Sequence, residues 1–460
     1  EVPPMIAIYA KMALSLGGSL FLVRLLPTLI GVLSVILIGM LIKDLGGKRW
    51  AQFFGCVAFI VAPVFLRANM LFQPVAFNQF MWLLSSFLMI RLVNTQNPKY
   101  WFYFGIVAGF AILTKYSVAF FYVAMLIGMF LSEQRKWLTK PQPYLAVLIA
   151  LIIASPNIWW QFQHNLPVIH HMQELKETQL ANVQIGRFFG DQLFMMLAAN
   201  LVWIAGLAFL FKNPSFKKYR FLAWTFIFTI IIIAYLNGKA YYTVGAYSML
   251  FVFGGLAIEH WLKSSKLKWT LAAFMIIITI PFTPYSITIL PINQMKSYCT
   301  FMKNNIGLDS PLYWEDGKIH DIPQDYADMF GWEEIVKNVS DYYHTLPDSL
   351  RNSCSIYGGS YGHAGAINYY REKYDLPEAI SFNSSFVIWA PEKVNFRCQI
   401  QVDDTEQNGS SYFESMELIG QNKHPFCREP GLIYFKSKPI VDIPTEWNTL
   451  TKEMKAEFDF

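Results

Sequence analysis

Residues 25–42 read LLPTLIGVLSVILIGMLI. No charge interrupts them, and Thr28 and Ser34 supply the only hydroxyls. A helix needs roughly 20 apolar residues to cross a hydrocarbon core of about 30 Å, so a run of this kind reads as a membrane span. Working outward from it, the chain holds ten such stretches, near 20–42, 51–66, 75–90, 101–114, 116–131, 143–158, 191–211, 219–236, 240–258 and 269–290. YLAVLIALIIAS at 144–155 and WTLAAFMIIITIPF at 269–282 are among the clearest. Buried helices of a large soluble protein are the competing reading. Ten stretches in succession with almost no acidic residue between them argue against it, and the predicted fold is a multi-pass α-helical membrane protein.

Composition agrees. The 460 residues are 54% hydrophobic and 15% charged, where a soluble domain carries about 25% charged residues. That excludes disorder and argues against nucleic acid as a partner. The net charge of +5 averages two bodies: residues 1–291 hold 22 Lys and Arg against 7 Asp and Glu, and residues 292–460 hold 15 against 25. Within the first body the loops of one parity carry 15 basic residues, from Lys43, Lys48 and Arg49 through to Lys263, Lys266 and Lys268; the other parity carries six. The positive-inside rule makes the richer side cytoplasmic. With ten spans, the start and the acidic tail then face outward. The chain opens Glu1-Val2-Pro3-Pro4, with no initiator Met and no signal peptide. An outward-facing start implies a further span and part of an external loop upstream, so a fragment is expected.

The domain division follows: a transmembrane domain over 1–291 and an extracytoplasmic soluble domain over 292–460. In the second, SCSIYGGSYGHAGAINYY, AISFNSSFVIWAP, FRCQIQVDD and GLIYFKSKP read as strands parted by Gly, Pro and Asn turns. DYADMFGWEEIVKNVSDYYHT at 325–345 has helical spacing. An α+β or α/β domain is expected. Its four cysteines, Cys299, Cys354, Cys398 and Cys427, allow two disulfides in one of three pairings; four buried thiols are the alternative. No CxxC occurs among them. Cys56 lies in a span, where a small apolar residue packs.

Ionisable groups at the outward ends of spans are candidates for chemistry. They are Arg67, followed by Gln73 and Asn78; Lys115 and Tyr116 in ILTKYSVAFF; Lys239, Tyr241 and Tyr242 in LNGKAYYTVGAY; and Arg187. Cations with aromatic neighbours suit a phosphate: Lys acts as a point charge, Arg binds bidentately and Tyr donates its hydroxyl. Snorkelling to headgroups is the competing reading for each. Lys115 stands apart, because an almost loopless turn leaves its side chain little route to bulk water. The loop 157–190 brings His164, His170, His171, Glu174 and Glu177. Adjacent helical residues do not share a face, so the His-His pair reads as part of an interfacial amphipathic helix over 168–182 and not as a metal site.

The order of short motifs carries a resemblance. It runs from VPP at the start, RLLP at 24–27, KDLGGKRWAQ at 43–52 and LFQPVAFNQFMW at 71–82 to LTKYS at 113–117. SPNIWWQFQHNLP at 155–167, GKAYY at 238–242, and FGWEE and SYGHAGAINYY in the tail complete it. In this order the chain resembles a GT-C type integral-membrane glycosyltransferase of the bacterial protein mannosyltransferase and aminoarabinose transferase branch. The resemblance implies transfer of a sugar from a polyprenyl-phosphate donor to an extracytoplasmic acceptor (lipid, glycan or protein), usually with inversion. It implies that Lys115 and Lys239 face the donor phosphate, with Arg67 as a third cation. Tyr116, Tyr241, Tyr242, Gln73, Asn78 and His164 are candidates for the substrate cavity. The general-base carboxylate of the first external loop falls upstream of Glu1, and the catalytic residue itself is unknown. Glu1 matches a frequently acidic position without being that base. Many relatives carry acids in the stretch where this chain has Val75 and Asn78, which speaks against a divalent metal, so no cofactor is assigned.

Two other function classes compete. A transporter or flippase would show internal repeats, and none is visible. A non-catalytic scaffold that recruits partners through its tail would be favoured by a full-length first external loop without Asp or Glu. SYGHAGAINYY lacks a helix-opening phosphate fingerprint, so nucleotide binding is not expected.

Overall fold

The computed structural model describes residues 2–178 and 180–456. All ten apolar stretches are helical. Among the described residues six helices are long and apolar enough to cross a membrane: Leu20–Asp44, Pro74–Thr95, Pro141–Gln163, Pro214–Tyr235, Ala240–Trp261 and Ser265–Ser286. A seventh crossing exists if Ile185–Phe194 and Leu197–Lys212, which meet at 90°, count as one broken span. The other three stretches form shorter helices, and local chemistry explains each break. The 51–66 stretch stops as helix Arg49–Val61 because Ala62 precedes a proline and adopts ψ 119°; a residue before proline is pushed out of the helical region. Pro63 then opens a short helix, Pro63–Ala68. The 101–114 and 116–131 stretches become Lys99–Thr114 and Val118–Phe130, parted by Lys115 in an extended conformation. Length therefore supports six or seven crossings where hydropathy predicts ten.

One compact unit comprises residues 2–160 and 172–290. Its centre is helix Ala240–Trp261, almost wholly buried among the others. Glycines let that helix approach its neighbours. A Cβ on Gly254 would lie 2.0 Å from the Val202 carbonyl oxygen, one on Gly206 2.2 Å from that of Leu250, and one on Gly255 2.2 Å from that of Ala51. Helices in lipid gain from this backbone contact because lipid tails are as apolar as leucine. Near its end the same helix turns a carboxylate on its neighbour: Glu259 accepts from the backbone N–H of Lys48 (2.8 Å) and of Ala51 (3.2 Å), capping helix Arg49–Val61. Pro156 lies inside helix Pro141–Gln163. It cannot donate to the Ile152 carbonyl, and the Ser155 hydroxyl donates there instead at 2.7 Å.

The second unit comprises residues 161–171 and the chain from Pro291 onward. The sequence reading kept 161–171 with the membrane part; contacts group it here. Five strands form one sheet: β1 (Cys354–Gly358), β2 (Ala379–Ile380), β3 (Cys398–Asp403), β4 (Phe413–Gly420) and β5 (Leu432–Pro439), in the order β2-β1-β3-β5-β4. β1 runs parallel to β2 and β3, and β5 is antiparallel to β3 and β4. Helix Tyr361–Tyr374 is the crossover from β1 to β2, started by Ser360, whose hydroxyl accepts from the His363 N–H. The helix expected over 325–345 is Trp332–Tyr343; Gly331, at φ 89°, separates it from the turn before it. Its Ile335, Val336 and Val339 pack with Ile356, Ile400 and Ile433 of the sheet. The cysteine expectation needs correction. Among the four, one disulfide is formed, Cys354–Cys398, between residues directly opposite in β1 and β3. Cys299 is buried in helix Ile292–Phe301, and Cys427 is half-buried in a turn.

Candidate active site

The segment 237–246 in the membrane unit organises the site. Helix Arg220–Tyr235 ends with Asn237 in the left-handed region at φ 52°. Gly238 then passes close to the preceding helix, where a Cβ would lie 2.7 Å from the Ile233 side chain and 3.3 Å from the Tyr242 ring. Lys239 is extended and caps the first, tightly wound turns of the central helix, Ala240–Ala246. Helices Pro63–Ala68, Pro74–Thr95, Ile185–Phe194 and Arg220–Tyr235 all pack against those turns.

Lys115 reaches the same place from a different part of the chain. Its Nζ lies 4.8 Å from the centroid of the Tyr242 ring and 5.3 Å from that of Tyr241. The two rings meet edge to face at 4.8 Å. The ring quadrupoles attract the ammonium, while the charge of Lys239 repels it. Two ammonium groups that repel each other in a half-buried setting are complementary to an anion. The neighbouring Tyr116 hydroxyl donates to Asn157 Oδ1 at 2.6 Å, which ties the Lys115 turn to helix Pro141–Gln163.

The remaining candidates fall in other settings. Arg67 is exposed in the last turn of Pro63–Ala68, the helix that packs on the 240–246 turns. Gln73 is exposed at the start of helix Pro74–Thr95. Asn78 is buried, and its Oδ1 accepts from Trp82 Nε1 at 3.1 Å. Trp82 in turn fills the space beside Gly245, where a Cβ would lie 2.6 Å from its ring. Asn78 thus supports the site from behind. His164 follows helix Pro141–Gln163 in the segment that groups with the C-terminal unit. Glu1 lies outside the described residues. Among the described residues no three His, Cys, Asp or Glu side chains gather in a way that could hold a metal ion.

Three residues that the sequence reading passed over complete the geometry: Gln192, Thr243 and Tyr247, joined by buried hydrogen bonds beside the 240–246 turns. Thr243 and Tyr247 stand in the stretch LNGKAYYTVGAY beside its lysine and tyrosine pair, and no charge or repeat marks any of the three. For Gln192, a neutral amide about two turns into helix Ile185–Phe194 was the only available signal.

Known proteins share this fold. Residues 1–160 match the family model of dolichyl-phosphate-mannose-protein mannosyltransferase. Over 94% of its length the chain superposes on the crystal structure of ArnT from Cupriavidus metallidurans bound to undecaprenyl phosphate, covering 87% of that chain, with a TM-score of 0.62 at 14% identity. Together these likenesses support a GT-C type glycosyltransferase of the protein mannosyltransferase and ArnT branch. The apo form of ArnT gives a TM-score of 0.60 at 15% identity. Among curated relatives, the lipid A galacturonosyltransferase RgtD of Rhizobium johnstonii is 25% identical over 195 residues, 41% of this chain and 41% of that protein. The chain thus aligns with well under half of that relative's length. The ArnT-like fold makes it an integral membrane protein.

Proposed function

We propose that the chain transfers a sugar from a polyprenyl-phosphate donor to an acceptor at the outer face of the bacterial inner membrane. The observation that carries this reading is the meeting of Lys115, Lys239, Tyr241 and Tyr242 at the head of the central helix. The likeness to ArnT, whose crystal structure holds undecaprenyl phosphate, and to a lipid A galacturonosyltransferase supports it. In the step itself, an acceptor hydroxyl attacks the anomeric carbon and the bond from that carbon to the phosphate oxygen breaks. A carboxylate base takes the hydroxyl proton. Negative charge grows on the departing polyprenyl phosphate, where Lys115 and Lys239 stabilise it, and Arg67 is the third cation of the phosphate site. Tyr116, Tyr241, Tyr242 and Gln73 line the cavity. The transporter and scaffold readings are set aside, since the relatives named above are transferases.

The same reading fixes a topology. The three short helices cross with their polar ends in the headgroup layer, giving ten crossings, a membrane domain over 1–291 and a C-terminal domain over 292–460 outside. The 15 basic residues on one set of loops support it. The test of the chemistry uses Lys115→Ala and Lys239→Ala with a radiolabelled polyprenyl-phosphate sugar pool. Each variant is expected to lose at least about a hundredfold in transfer, the scale of removing one group that stabilises developing charge, at unchanged expression. Wild-type turnover by both would overturn the phosphate assignment. Mass spectrometry of glycolipids from a deletion strain would then identify the acceptor.

A further inference from the structure

We infer that Gln192 is a positioning residue that sets the helix turn bearing Lys239, Tyr241 and Tyr242; the inference rests on the reading that Lys115 and Lys239 hold the donor phosphate. Gln192 is buried in helix Ile185–Phe194. Its carbonyl oxygen accepts from the Thr243 hydroxyl at 2.7 Å and from the Tyr247 hydroxyl at 2.6 Å. Its amide nitrogen donates to the Ala240 carbonyl at 3.3 Å and to the Phe188 carbonyl at 3.4 Å. A primary amide has two protons to give and two lone pairs to share, and all four are engaged. Three of the four partners, Ala240, Thr243 and Tyr247, lie in the first two turns of the central helix. Gln192 therefore reads both the rotation and the height of that helix end.

Rotation is what the phosphate site depends on. Tyr241 and Tyr242 cover Lys115 only while the turn keeps its present angle, and consecutive residues of so tightly wound a turn point about 120° apart. Neither hydrophobic contact nor the glycine approach can fix that angle sharply, because apolar surface is non-directional. Directional hydrogen bonds in a dry interior can. A helix that bends 90° after Gln192 also lets a short arm, and not a full span, hold this position. The amide is required as such: a carboxylate could not donate to the Ala240 carbonyl, and a leucine would take the acceptor from the Tyr247 hydroxyl and leave the Thr243 hydroxyl only its own turn's Ala240 carbonyl at 2.8 Å.

The test is a double-mutant cycle on the full protein in detergent micelles, titrated with undecaprenyl phosphate. Gln192→Leu and Lys239→Ala are each expected to weaken binding about tenfold. If Gln192 acts through Lys239, the double variant binds no more weakly than Lys239→Ala alone. Losses that multiply would overturn the inference, because a general loosening of the fold adds to the loss of a charge. Wild-type affinity in Gln192→Leu, beside a weakened Lys239→Ala, would overturn the role of Gln192 and leave the phosphate reading standing. Wild-type affinity in Lys239→Ala would instead overturn the phosphate reading, and this inference with it. Tyr247→Phe repeats the cycle without disturbing ring packing against Trp203 and Phe226. It removes one of the two hydroxyls from Gln192, and about threefold weaker binding is expected; no change would count against the inference.

Discussion

Single residues carried most of what the sequence could say about chemistry. Lys115 stood out because a lysine between two apolar stretches has few structural excuses, and its Nζ lies over two tyrosine rings. Asn78 drew the same attention, yet it serves Trp82 from inside a helix; a polar residue in a span cannot reveal which neighbour it satisfies. Gln192 was invisible because its partners lie about 50 residues away along the chain. One residue of the C-terminal domain bears a pH prediction. Burial pushes the Asp403 carboxyl up, but hydrogen bonds from Gln401, the backbone N–H groups of Thr405 and Asp404, and the Thr405 hydroxyl outweigh it and hold it below the usual carboxylate range. A depressed folded value means stability that is fully present above the ordinary value near 4 and lost as pH falls through the folded one. Asp403→Asn is expected to lower the stability of this domain by about 2 kcal/mol at pH 7, and the gap from wild type should close in strong acid. A gap that stays constant with pH, followed by thermal unfolding, would refute it.

At the level of elements, hydropathy located the apolar helices from Leu20 onward and missed the short Met5–Ser15, and it could not tell length from continuity. The breaks at Ala62 and Lys115 interrupt stretches whose composition is uniform. The small-residue contacts were equally hidden, since GG in FVFGGLAIEH is common in many settings. In the structure both glycines meet backbone oxygens of other helices. Gly254→Val is therefore expected to abolish the folded, monodisperse protein in size-exclusion chromatography. Gly186→Ala, where an added Cβ meets nothing within 4 Å, should elute as wild type. A monodisperse Gly254→Val protein would show that this contact is dispensable.

For the whole molecule, charge divides the chain into two bodies, and the structure also forms two compact units. The charge pattern carries an orientation as well. Alkaline phosphatase fused after Phe460 is expected to be active in intact bacteria, and a green fluorescent protein fused at the same place to stay dark. A bright fluorescent fusion with inactive phosphatase would reverse the topology. The central helix has a consequence for biogenesis. Ala240–Trp261 packs on Leu20–Asp44, Arg49–Val61, Pro74–Thr95 and Asn200–Lys212, all of which precede it in the chain. Its partners therefore leave the ribosome first and must wait in lipid with their glycine faces and carbonyl oxygens uncovered. Insertion proceeds in chain order, while assembly closes last around a late arrival. A nascent chain halted before residue 240 already has every one of these partners and still lacks its centre.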